Sequence, residues 1–281
     1  MGAIAYSIFA AMCWGMADFA AGLKSRRLGV LPVLAWVEGS GLVWIFIVIL
    51  ATGEPLPNGR TILFAALAGA SGFTGLGCFY RGLAIGTMSI VAPISATGVI
   101  VPLAVGLASG DSLQTIVAIG LGVTIVGVLL ASREEVEELE RGGPNRPAVL
   151  MALIAALGFG GYFVFADVAA DGSVLWLLAT GRLAAVPVIV MLARARGASL
   201  RPEKRDMREL ILIGATDLSA TALYALATTR GALSIVAVVG SLYPVVTVLL
   251  ARGVLKERIS PTQLAGVTLA LAGVGMVSAG G

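Results

Sequence analysis

Gly86-Thr87-Met88-Ser89-Ile90-Val91-Ala92 and Gly231-Ala232-Leu233-Ser234-Ile235-Val236-Ala237 are near copies of one phrase, set 145 residues apart. After a one-residue slip, Gly120 and Gly127-Val128 return as Gly266 and Gly273-Val274. Identity between the copies is low, but they fall at equivalent points of two almost wholly apolar halves. A repeat of this period in an apolar chain indicates an architecture built twice, with a site where the halves meet.

Hydrophobic residues make up 58% of the chain and charged residues 12%, about half the charge of a soluble domain. A hydrocarbon core about 30 Å thick needs about 20 helical residues. Ten stretches reach that length: 3–22, 30–52, 61–79, 87–108, 113–132, 147–167, 172–193, 209–228, 232–251 and 262–280. Each half holds five, and because five is odd the second half enters the bilayer from the opposite side. The expected fold is therefore an all-α integral membrane protein with ten transmembrane helices in two inverted five-helix repeats. Residues 1–132 form the first repeat, 133–146 a polar linker and 147–281 the second. In the linker, Glu134, Glu135, Glu137, Glu138 and Glu140 suit a short solvated helix ended by Gly142-Gly143-Pro144; a regulatory or partner-binding role is the alternative. The first apolar run starts at once without a basic leader, so a cleavable signal is not expected.

The net charge of +3 comes from bases in short loops between apolar runs, with no basic domain, so nucleic acid is not an expected partner. Counting loops alternately from the first helix, odd loops carry 16 Lys and Arg and even loops carry 2, Arg60 and Arg230. By the positive-inside rule the odd loops are cytoplasmic and both termini face outward.

The chain has no histidine, and its two cysteines, Cys13 and Cys78, lie inside apolar segments as expected buried thiols. A zinc site, a cofactor and histidine-dependent catalysis are not expected. No Gly-rich phosphate loop ending in Lys-Ser or Lys-Thr is present, which leaves an ion or proton gradient, or facilitated exchange, as the energy source.

A charge inside a membrane helix costs a few kcal/mol and needs a reason. Glu38 lies about 12 Å into the second helix at a rise of about 1.5 Å per residue, beside Gly39, Ser40 and Gly41. At an offset of 144, Arg182 holds nearly the matching place in the seventh. The two could pair with each other to set helix register, or attract opposite ends of a zwitterion. Glu38 is also the candidate proton carrier. In the eighth helix Asp217, Thr221, Tyr224 and Thr228 share one face, which lines a hydrated cavity or bonds a neighbouring helix. In the first, Trp14 and Asp18 share another: Trp14 could stack on a ligand or simply pack, and Asp18 could sit at a solvated mouth. Pro93, Pro102 and Pro244 each remove a backbone donor and point to breaks in the fourth and ninth helices, with plain kinked packing as the alternative. The faces Gly120/Gly127 and Gly266/Gly273 suit tight contact with a neighbouring helix or a homodimer partner.

Trp14-Gly15, Arg81-Gly82-Leu83-Ala84 leading into Ser89-Ile90-Val91-Ala92-Pro93, Tyr243-Pro244, Leu255-Lys256-Glu257-Arg258-Ile259-Ser260 and Gln263-Leu264-Ala265-Gly266 stand in an order and spacing that resembles the EamA type of the drug/metabolite transporter superfamily. The resemblance covers essentially the whole chain. It implies alternating-access transport of small metabolites, amino-acid-like or drug-like, often outward, through a central cavity with the fifth and tenth helices peripheral. It also implies cytoplasmic termini, opposite to the loop count. The family's acidic position after the fourth helix is reduced to Asp111, while Glu257 is retained. The expected function is a secondary transporter in the cell membrane that takes a small-molecule substrate, with protons as a candidate coupling ion. A non-transporting membrane scaffold, or a lipid-acting membrane enzyme, are the rivals. Glu38, Arg182, Asp217, Thr221, Tyr224, Trp14 and Asp18 are the expected contacts.

Overall fold

A computed structural model of the chain describes residues 2–110, 114–140, 146–256 and 260–280. Among these residues every regular element is helical: α1 (Gly2–Leu28), α2 (Val30–Thr52), α3 (Gly59–Ile85), α4 (Met88–Ala96), α5 (Ile100–Ala108), α6 (Thr115–Glu140), α7 (Arg146–Ala170), α8 (Val174–Ala195), α9 (Lys204–Thr228), α10 (Leu233–Gly240), α11 (Tyr243–Leu250) and α12 (Pro261–Gly280). A 3-10 turn, Thr97–Val99, joins α4 to α5, and a π-helical turn, Ala251–Leu255, follows α11.

Among the described residues seven segments are long and apolar enough to cross a membrane: α1, α2, α3, α7, α8, α9 and the stretch Leu233–Leu255 that contains α10 and α11. Ile94–Ala108 and Thr115–Gly127 are shorter apolar helical stretches. Several helices outrun the apolar segments read from sequence. Lys24, Arg26 and Arg27 belong to the last turns of α1, and α9 begins at Lys204. Backbone hydrogen bonding continues as long as each residue tolerates helical geometry, so a helix need not stop where its side chains become polar. In the same way α6 runs unbroken through Glu140, into the stretch expected to be a linker. Residues 141–145, Asp111 and Glu257 lie outside the described residues.

The ends that do stop are capped. Gly53 takes a left-handed φ of 66° after α2 and returns its N–H to Ile49. Asn58 accepts the Thr61 N–H at 2.9 Å at the start of α3. Ser173 caps α8 and donates to Glu54 Oε1 at 2.8 Å, tying two loops of one side together.

Every helix of the first half has its counterpart in the second at an offset near 145, and the packing follows that correspondence. α1 packs on α9 as α7 packs on α3, while α2 packs on its counterpart α8 and α6 on its counterpart α12. Glycine makes the closest of these crossings. A Cβ on Gly158 of α7 would lie 2.6 Å from Gly75 Cα of α3, so the two backbones touch. Gly120, Gly127, Gly266 and Gly273 are all buried, and Gly273 meets the backbone of Gly120, so one chain's α6 and α12 use up this face.

The helix breaks also correspond. The 3-10 turn Thr97–Val99 and the Ser241-Leu242 step between α10 and α11 lie 144 residues apart, although the prolines around them do not match. Gly98 presses directly on the Ala156 carbonyl of α7, and that contact sits at the break itself. Cys13 and Cys78 are free but half-buried rather than buried.

Candidate functional site

Four ionisable side chains from four helices meet in the interior: Asp18 of α1, Glu38 of α2, Arg182 of α8 and Asp217 of α9, each at most 9% exposed. All four line one cavity with about 760 Å³ of empty space, counting its open side. The Arg182 guanidinium donates from Nη2 to Asp217 Oδ2 at 2.8 Å, a charge-assisted bond. Its Nε faces Glu38 Oε2 at 3.6 Å, an ion pair rather than a hydrogen bond. Of the two readings of their matched places, the geometry holds Glu38 and Arg182 as a pair, and Asp217 joins it as the closer partner.

Room for the guanidinium comes from Gly41, one turn along α2 from Glu38. A Cβ there would stand 2.5 Å from Arg182 Nε. Of its neighbours, Gly39 borders open space and Ser40 turns back to the Val37 carbonyl at 3.2 Å. A guanidinium so enclosed is held by the carboxylates on either side. Removing one member of such a buried group typically costs about 3–5 kcal/mol, because the remainder is left uncompensated.

Asp18 differs. It is 4% exposed, lines the same cavity, and has no hydrogen-bond or ion-pair partner among the described residues. It is buried inside the protein rather than solvated at a mouth.

The rest of the wall is apolar and aromatic. Trp14, Phe73, Phe159, Tyr162, Phe163 and Tyr243 line it, with the close-packed Gly69, Gly72 and Gly181 between them. Thr221 reaches the cavity while bonding back to the Asp217 carbonyl at 2.8 Å. Tyr224 stands one layer behind. Its ring stacks on Phe163 with centroids 4.8 Å apart and lies 5.4 Å from Trp14, so it supports the wall instead of forming it. Thr228, last on that face, bonds to Ala225 away from the cavity. Sequence reasoning missed Phe159, Tyr162, Phe163 and Tyr243. The repeat held a signal for the first: Trp14-Gly15 recurs 145 positions on as Phe159-Gly160, and both aromatic rings face the cavity. By the same shift Asp18 corresponds to Phe163, and Thr221 to Leu76, which also lines the cavity.

On the odd-loop side, the end of α1 is bound to the start of α9. Lys24 Nζ donates to Asp206 Oδ1 at 2.8 Å and pairs with Glu209, and Arg27 also pairs with Asp206. Arg26 holds the Leu83 and Gly86 carbonyls at 3.2 and 3.1 Å, and Trp36 Nε1 holds Leu200 O at 2.9 Å. These contacts hold the end of α1 against α9 and α3, and α2 against the segment before α9. Among the described residues no group of three or more His, Cys, Asp or Glu could hold a metal ion.

A family model described as the EamA-like transporter family matches residues 1–133 and again 146–279. A solved structure described only as "Crystal structure of protein" is similar over 98% of this chain and 98% of its own, with a TM-score of 0.74 at 15% identity, a likeness of fold. No curated protein matches the sequence.

Proposed function

Because the chain belongs to the EamA-like transporter family, we propose that it carries a small-molecule metabolite across the cell membrane by alternating access. Membership makes it a multi-pass membrane protein of the drug/metabolite transporter superfamily; the substrate, mechanism and coupling are read from the site. Ten crossings in two inverted repeats, 1–132 and 147–281, are the topology this reading adopts.

The observation that carries the proposal is the Glu38–Arg182–Asp217 group. It bridges the two repeats at the wall of a cavity built by α1, α2, α3, α7, α8, α9 and α11. Charges at such depth are tolerated where they face protein or water instead of lipid. An ion pair between two bodies that must rock past each other can hold one state and release in the next. Asp18, Trp14 and Thr221 are assigned to the substrate, Tyr224 to bracing Trp14, and Glu38 to proton coupling. The odd loops are assigned to the cytoplasm by their basic charge.

Counterflow in proteoliposomes with a panel of metabolites tests the proposal. Saturable exchange that is lost in Arg182→Gln is expected. Absence of exchange for every solute tried, in protein shown to be folded, would overturn it.

A further inference from the structure

Resting on the transporter reading, we infer that the substrate is an organic cation, an ammonium group on an aromatic or aliphatic body, and that Asp18 is the carboxylate that binds it. Three acidic side chains line the cavity against one guanidinium. Arg182 is engaged with Asp217 at 2.8 Å and flanked by Glu38 at 3.6 Å, so its charge is already answered. Asp18 is left over: 4% exposed, without a partner, on the wall. A buried acid in that position is completed by a donor that brings positive charge.

The rest of the site selects the kind of cation. Among the described residues the carboxylates do not cluster in a way that could chelate a metal ion. The wall beside Asp18 carries Trp14, one turn earlier on α1, with Phe163 6.0 Å from it and Phe159 and Phe73 in the same cavity. Aromatic faces attract ammonium groups and cover the apolar body behind them. An anion would have to displace Asp217 or Glu38 from Arg182, in a cavity that Asp18 also lines. A zwitterion gains at Asp18 and loses the same way at its carboxylate. The structure thus assigns the free charge of the site to α1, and leaves the charges of α2, α8 and α9 to each other.

Purified protein in lipid nanodiscs should be titrated calorimetrically with four probes sharing one ring: phenethylammonium, phenylalanine, 2-phenylethanol and 3-phenylpropanoate. Phenethylammonium should bind about tenfold or more tighter than the alcohol, a gain typical of a desolvated cation on a carboxylate and aromatic faces, and 3-phenylpropanoate should bind weakest. Asp18→Asn should erase the preference for the cation without weakening the alcohol, and Asp18→Glu should retain it. In the wild-type protein, phenethylammonium should also slow carbodiimide modification of Asp18, read by mass spectrometry, which keeps the test open if Asp18→Asn does not fold. Preference for the anion or zwitterion, an unchanged preference in Asp18→Asn, no protection of Asp18, or no binding by any probe would overturn the inference. Counterflow of some other solute without cation binding would sink it and leave the transporter reading standing. Asp18-dependent cation binding without exchange in proteoliposomes would do the reverse.

Discussion

The Tyr243 hydroxyl donates to Ser95 Oγ at 2.7 Å, because the serine's own proton is committed to the Ala92 carbonyl at 2.7 Å. Ser95 lies just before the 3-10 turn after α4, and Tyr243 opens α11 just after the step from α10. One hydrogen bond thus joins the two interrupted helices, across the repeats, at the edge of the cavity.

Removing that bond from either end should have unequal effects. Tyr243→Phe removes one neutral hydrogen bond and should cost about 0.5–1.5 kcal/mol. Ser95→Ala leaves the tyrosine hydroxyl buried and unpaired, and should cost about 1–3 kcal/mol. The double variant should be more stable than the two single losses summed. Reversible unfolding in mixed micelles reads all three; equal and additive losses would show that the bond contributes nothing.

Arg182 should be less dispensable alone than together with its partners. Arg182→Gln leaves Glu38 and Asp217 facing one another without a counter-charge, at a cost of about 3–5 kcal/mol. Neutralising all three with Glu38→Gln and Asp217→Asn should recover much of the stability but none of the exchange. A triple variant less stable than the single one would contradict the ion-pair account.

The ties between α1 and α9 should act as a latch. Asp206 collects both Lys24 and Arg27, with its own side chain 2% exposed. With Cys13 and Cys78 replaced, a cysteine at Thr221 reports access to the cavity. Asp206→Asn should speed its reaction with an impermeant maleimide added from the odd-loop side, several-fold. Raised salt should do the same more weakly in the parent, since the outer charges are screened. Unchanged labelling would remove the latch.

Glu38→Gln tests proton coupling. Exchange should continue at a fixed pH but no longer respond to an imposed pH gradient. Full gradient dependence in the variant, with substrate binding intact, would move the coupling to another group.

The repeat made the all-helical, twice-built plan legible, while the described residues hold seven membrane-length segments instead of the ten expected. It also paired Glu38 with Arg182 by position alone. What the residues could not convey was distance between elements remote in sequence. Helical spacing put Tyr224 on the same face as Asp217, yet cannot tell a ring on the cavity wall from one stacked behind Phe163. Asp18 is near a helix end in the apolar pattern and so suggested solvation, but α1 continues ten residues further, to Leu28, and encloses it. The prolines pointed to the right helices without locating the breaks, where Gly98 packs on Ala156. Phe159 and Tyr162 line the cavity, but nothing within a single helix marks an aromatic as facing empty space.

Between α1 and α2 there is one residue, Gly29, at a φ of 84° that a side chain would strain. So short a joint keeps the last turn of α1 beside the first turn of α2, and a shift at either end is passed to the other. The helix that carries Asp18 and the helix that carries Glu38 are thus tied at one point, and motion through that point reaches both acids.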